Sequence, residues 1–200
     1  SKFLISTVVN FFNQIKLFRR ILENFGIHRN AKLPKFVSKT AKQLKLTNSV
    51  KNSKYKVAIF TTCYHNYNEP GVIKDFYDVL KFNDVSVEIV EDDNCCGMPK
   101  LELGNIEEVG NMMERNLPKF KNFTDKGYFI IAPIPSCVLM YKQELPLLFP
   151  DNNDLIKVSQ SFKDPFEFLN MMNDDDALSK DFKNKLGDVS YQVACHQRVQ

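Results

Sequence analysis

Residues 55–63, YKVAIFTTC, carry a β-rich apolar run straight into a cysteine. The run VAIF is almost continuously hydrophobic, and so is YFIIAPI (128–134), which leads into PSC. Runs of this kind suit strands covered on both faces. Between them VSVEIV (85–90) reads as a second strand ending in EDDNCC (91–96), and VSYQVA (189–194) reads as a fourth that meets Cys195. The intervening stretches have helical periodicity: 67–83 through Val72, Phe76, Val79 and Leu80, 102–120 with Pro118 near its end, the start of 137–149, and 164–175. Strands alternating with helices at this spacing predict an α/β domain with a mostly parallel sheet and flanking helices.

Upstream the pattern changes. Residues 1–25 repeat apolar side chains at helical spacing (Phe3, Leu4, Val8, Phe11, Phe12, Ile15, Leu17, Phe18, Ile21, Leu22), and Gly26 is a plausible stop. Such a helix could dock on its own protein or a neighbouring domain. With Lys16, Arg19 and Arg20 it could also lie on a membrane surface. Residues 27–54 are basic, punctuated by Pro34, and read as a connecting arm. The divisions expected are therefore 1–54 (helix and arm), 55–188 (the first cysteine-rich unit) and 189–200 (the start of a second).

The chain has 200 residues, 44% of them apolar, so it can bury a real core. Its formal charge of +3, from 27 basic and 24 acidic residues, is too balanced for a nucleic-acid binder. Five cysteines without a signal peptide argue against a secreted disulfide framework. No apolar run reaches the roughly 18–20 residues of a membrane span. A cytoplasmic protein is expected, free or peripheral on the inner face of the cell membrane. Both ends read as cut, as in a segment of a longer protein.

Cys63, Cys95, Cys137 and Cys195 each follow a predicted strand, and Cys96 adjoins Cys95. Parallel strands bring their carboxyl ends to one edge, where ligand sites form, so thiols far apart in sequence can converge. Soft thiolates select zinc, Cu(I) or iron–sulfur clusters. The close Cys-x-x-Cys pairs of structural zinc sites are absent, as is the C-x-x-C-x-x-C run of ferredoxins. A vicinal Cys95–Cys96 disulfide would need a strained ring, and the cysteines could also be small buried hydrophobes. A cluster held from distant loops is the remaining option, with Gly97 allowing close backbone approach and Pro99 stiffening the loop.

Cys63, CCGMPKLELGN from Cys95, and PSCVLMYKQELPLLFP (135–150) resemble the CCG-domain (cysteine-rich) iron–sulfur family. That family includes a component of heterodisulfide reductase and, closer to these motifs, a component of anaerobic glycerol-3-phosphate dehydrogenase. The arm ILENFGIHRNAKLPKF (21–36) resembles the segment that joins a ferredoxin-type domain to the CCG region in such proteins. The resemblance implies an electron-transfer subunit with a [4Fe-4S] cluster. Cys63, Cys95, Cys96 and Cys137 match the first repeat, and Cys195 the opening of a second. Met140 stands where the full motif has its last cysteine. Other implied features are a flavoprotein dehydrogenase partner, a ferredoxin-type domain in the full-length chain, and transfer towards a quinone or a thiol/disulfide acceptor.

No nucleophile–base pair or paired carboxylates stand out, which argues against hydrolysis or group transfer. His196 could be a donor or ligand beside Cys195. His65 could hydrogen-bond a cluster at Cys63, although a plain loop role is favoured. His28 reads as structural, and Glu102 and Lys142 as surface or helix-cap residues. The rival readings are a zinc-stabilised interaction module and a thiol–disulfide protein using Cys95 and Cys96.

Overall fold

The computed structural model describes residues 2–199. Ser1, Gln200 and the side chains of Lys2 and Phe3 lie outside the described residues. The helices are α1 (Lys2–Phe12), α2 (Lys16–Glu23), α3 (Cys63–Tyr67), α4 (Pro70–Phe82), α5 (Met98–Glu102), α6 (Ile106–Thr124), α7 (Pro135–Leu139), α8 (Leu145–Leu148), α9 (Asn153–Ser161), α10 (Pro165–Asp174) and α11 (Cys195–Arg198). The strands are β1 (Lys56–Ile59), β2 (Ser86–Ile89), β3 (Phe129–Ile131) and β4 (Phe162–Lys163), paired in the order β2-β1-β3-β4 with every described pair parallel.

Strand alternation divides the core between the two faces of the sheet. Ala58, Phe60, Ile130, Ala132 and Phe162 pack on one side with α6, α7 and α9. Val57, Ile59, Val85, Val87 and Ile131 pack on the other with Ile73, Phe76 and Leu80 of α4 and Phe168 and Met172 of α10. The sheet is thus covered on both faces, as the continuous apolar runs require. The arm shields the outer edge of β2: Asn48 exchanges backbone hydrogen bonds with Val87 at 2.9 and 2.7 Å, which satisfies groups that would otherwise face outward.

The fourth strand differs from expectation. It is Phe162–Lys163, while 189–194 has no regular structure. β4 already occupies the sheet edge beside β3. The later segment instead crosses towards α10, where the Tyr191 ring meets Phe166 at 5.3 Å. The N-terminal helix is two helices, because the chain turns at 13–15 and Arg19 then reaches the carbonyls of Arg29 (2.9 Å) and His28 (3.1 Å). Leu4, Ile5, Phe11, Leu17 and Ile21 remain exposed on this pair. The 102–120 helix runs instead from Ile106 to Thr124, with Pro118 inside it and Asn105 capping the Glu108 N–H at 3.1 Å. Helix 137–149 is interrupted by a π turn over Met140–Glu144. Helix α9, capped by Asn152, was not anticipated.

One face is centred on four fully buried rings. Tyr141 stacks on Phe162 (4.5 Å, 6°), Phe120 meets both edge-on at 4.9 and 5.1 Å, and Phe60 lies 5.1 Å from Phe120. Phe120→Ala removes a ring that touches the other three. It is expected to lower the unfolding free energy by about 3–5 kcal/mol in equilibrium denaturation. A loss below about 1 kcal/mol would show that these rings do not hold the face together.

Candidate functional site

The strand order places the site. Leaving β1, the sheet continues to β2 on one side and to β3 on the other, so the topology switches direction between β1 and β3. Ligands in such sheets bind in the crevice outside the strand ends at that switch. Cys63 follows β1, Cys137 follows β3, and Cys95 and Cys96 follow β2.

Local backbone geometry turns these residues inward. Thr62 has φ +60°, a left-handed conformation rare for a β-branched residue, and makes Cys63 the first residue of α3. Strain of this kind gathers at functional sites. Gly97 has φ +96°, and a Cβ there would stand 3.4 Å from Met140 Cε. Glycine is therefore favoured by conformation, while the methionine methyl stands at ordinary contact distance. The Gly-to-Met contact shows what Met140 does in this fold: it is fully buried and packs beside the cysteine loop.

Four of the five thiols form a continuous row. The Cys96 and Cys137 Sγ atoms are 3.1 Å apart, and Cys63, Cys95 and Cys96 lie close enough to perturb one another's ionisation. All are free thiols. Cys96 and Cys137 are buried in the core, Cys95 is half-buried, and Cys63 is exposed. Among the described residues, no three His, Cys, Asp or Glu side chains converge where a single metal ion could be held.

The row is electrically uneven. Hydrogen bonds from Cys63 and Cys96, joined by the N–H groups of Gly97 and Cys96, hold the Cys95 thiol well below the ordinary thiol range. Its hydrogen bond to Cys95, then burial, pushes Cys63 up. Hydrogen bonds with Cys137 and Cys95, then burial, push Cys96 up. Cys95 is thus where negative charge settles in the metal-free protein.

Cys195 stands apart. It is exposed on α11, outside the row. Its neighbour His196 meets Ser136 Oγ at 2.7 Å, which fastens α11 to α7 one residue before Cys137. His65 is no loop residue: it is buried in α3, and burial lowers its pKa, so the ring is neutral at pH 7. Its Nδ1 and the hydroxyls of Thr61 and Thr62 are buried without a hydrogen-bond partner. Three such atoms within five residues of sequence, around Cys63, are unusual, because buried polar groups are normally satisfied. His28 caps its own turn in the exposed arm, accepting from the Asn30 N–H at 3.2 Å. Lys142 pairs with Glu167 at 2.9 Å, and Glu102 ends α5 in solvent.

The cysteine pair is held by Asn116, backed by Tyr141, and no motif in the sequence marks either residue. Asn116, fully buried on α6, accepts from the Asn94 N–H at 2.7 Å and donates to the Cys95 carbonyl at 3.1 Å and to Tyr141 Oη at 3.0 Å. Burial pushes the Tyr141 phenol up and keeps it neutral. The available signal was an asparagine on the apolar face of α6, among Val109, Met113, Leu117 and Phe120.

A doubly covered parallel sheet that gathers four thiols outside its carboxyl edge defines a cysteine-rich α/β domain. Residues 57–142 match the family described as CCG, cysteine-rich domain. The chain is 28% identical over 153 residues to a subunit of anaerobic glycerol-3-phosphate dehydrogenase from Escherichia coli (strain K12), a match covering 74% of this chain and 39% of that protein. It is 29% identical over 120 residues to lactate utilization protein A from Bacillus thuringiensis (strain Al Hakam) and Bacillus cereus (strain B4264), covering 60% of this chain and 48% of each relative. The match thus spans less than half of these relatives' length. No solved structure matches the chain significantly.

The uneven charge makes one outcome counter-intuitive. In reduced, metal-free protein at neutral pH, iodoacetamide is expected to alkylate Cys95 ahead of the more exposed Cys63, because the thiolate is the nucleophile. Peptide mass mapping over time reads the order, and Cys63 reacting first would mean that exposure alone governs.

Proposed function

We propose that Cys63, Cys95, Cys96 and Cys137 together hold one iron–sulfur cluster, of the [4Fe-4S] type, and that the chain is the electron-transfer part of a redox subunit. The observation that carries this reading is the unbroken row of four thiols drawn from three strand ends. A row fits a polynuclear group, whose irons take thiolates at separate points, better than the tetrahedral closure of a single zinc ion. The donor set is soft, and buried hydroxyl and imidazole groups lie beside Cys63 without partners of their own.

A bound cluster would supply one-electron chemistry, the property for which such groups are used. The chain's own residues supply the rest. The thiolates bind, and Cys95 is already biased to the charged form that ligation needs. Backbone N–H groups of Tyr64, Cys96, Gly97 and Met98 lie beside the thiols and favour their charged form, and N–H groups so placed beside a bound cluster would raise its reduction potential. Val109, Met140 and Tyr141 help keep water from the Cys96–Cys137 end. Cys63 is the solvent-facing end of the row, where a redox partner would come nearest.

The E. coli relative is by name a subunit of a dehydrogenase, and we extend that role to this chain. Its partners would be a flavoprotein dehydrogenase and a ferredoxin-type domain of the full-length protein, with a quinone or a thiol/disulfide compound as acceptor. Residues 55–188 would be the first repeat, and 189–200, with Cys195, the opening of a second. Among the described residues no helix is long and apolar enough to cross a membrane. The exposed apolar residues of α1 and α2 would offer a peripheral contact with a membrane surface.

A second reading has support of its own: a low-pKa thiol beside a second thiol also suits thiol–disulfide exchange. Anaerobic reconstitution with iron and sulfide separates the two. Wild-type protein should retain iron, Cys95→Ser and Cys96→Ser should each lose most of it, and Cys195→Ser should retain nearly all, because a hydroxyl is a far poorer ligand than a thiolate. Wild-type protein that holds no iron yet reduces a disulfide substrate through Cys95 would establish the exchange reading instead.

A further inference from the structure

We propose that Lys42, in the basic arm, is a positioning residue that clamps the Cys63 helix to the Cys95 loop, so that the arm completes the thiol row. Its ammonium forms an ion pair with the carboxylate of Asp93, two residues before Cys95. The Asp93 side chain is only 4% exposed and that of Lys42 19%, the most withdrawn ion pair among the described residues. The backbone of the same lysine reaches the other loop. Its N–H donates to Asn66 Oδ1 at 3.2 Å, and Asn66 lies on α3 three residues after Cys63. One arm residue therefore grips both elements whose sulfurs meet.

The grip is itself anchored. Ala41 is fully buried in the core formed with α4, and its N–H donates to the Asn66 carbonyl at 3.2 Å. Thr40 and Gln43 close the turn around Lys42: the Thr40 N–H donates to Gln43 Oε1 at 2.9 Å and the Gln43 N–H to Thr40 Oγ1 at 3.4 Å. Further back, the Val37 N–H donates to the Tyr67 carbonyl at 2.9 Å, and Asn68 Nδ2 donates to the Lys35 carbonyl at 2.9 Å. The arm follows α3 along its length and then delivers a cation to the loop after β2.

The charge matters because a carboxylate this deeply withdrawn is costly without a counter-ion. If Lys42 loses its charge, Asp93 gains by swinging towards water. Cys95 is two residues away, and the movement would draw it from Cys63. Cys96 and Cys137 are both buried in the core, so their contact should survive. The clamp deepens the reading of the four thiols as one ligand set, but its test needs no metal.

Reduced, metal-free full-length chain is treated with dibromobimane, which bridges neighbouring thiols, and the Cys63–Cys95 and Cys96–Cys137 bridges are timed by peptide mass mapping. Lys42→Met and Asp93→Asn should slow the Cys63–Cys95 bridge about tenfold or more, as for reacting atoms moved by a fraction of an ångström. The Cys96–Cys137 bridge should keep its wild-type rate. Lys42→Arg, and the reversed pair Lys42→Asp with Asp93→Lys, should restore the first bridge. Should Lys42→Met fail to fold, Asp93→Asn carries the same comparison. Wild-type rates in every variant, or equal slowing of both bridges, would overturn the clamp. A selective effect in a protein that nonetheless retains no iron would leave the clamp standing and remove the cluster.

Discussion

The parallel pairing of β1 with both its neighbours is the constraint on which the site depends. Val57, Ala58 and Ile59 lie in register with Val87, Glu88 and Ile89 on one side and with Phe129, Ile130 and Ile131 on the other. That register brings three chain exits to the same level at one edge. The cysteines need only follow those exits closely, and Cys95 and Cys137, far beyond Cys63 in sequence, come within reach of its row. An antiparallel partner on either side would send its exit to the opposite edge and break the row.

Holding the exits together costs buried polarity, which the structure satisfies with few residues. Asn116 serves the loop after β2 from within an apolar helix face, and its side chain reaches Asn94, Cys95 and Tyr141. Each of those groups left unpaired would cost about 1–3 kcal/mol. Tyr141 ties this polar centre to the aromatic packing through its stack on Phe162. The sheet, the ring cluster and the cysteine loop are therefore one connected unit. The unpaired hydroxyls of Thr61 and Thr62 and the unpaired His65 nitrogen are the exception, and they lie beside Cys63.

Much of this was legible from local sequence, for identifiable reasons. β1, β2 and β3 are apolar runs whose exits are marked by cysteines, and the α/β class follows from their alternation with helices. The two-residue β4 is too short to leave a pattern. VSYQVA has the composition of a strand, but the place beside β3 is taken by β4, and the later segment packs towards α10 instead. Four of the five cysteines gather as their strand-end positions implied, whereas Cys195, placed by the failed strand, does not join the row. The supports were not legible, since Asn116 lies 21 residues from Cys95 and Lys42 meets Asp93 across most of the first half of the chain. Such pairings are set by tertiary folding, and neither periodicity nor motif announces them.

The central claim is that thiolates from three strand ends bind one polynuclear group. X-ray absorption at the iron edge of anaerobically reconstituted protein tests it most directly, because the method reads the atoms around each iron. The account predicts a sulfur-only first shell together with a close iron–iron shell, in protein containing iron and acid-labile sulfide in equal amounts. Iron surrounded by nitrogen and oxygen, or by sulfur with no neighbouring iron, would contradict it.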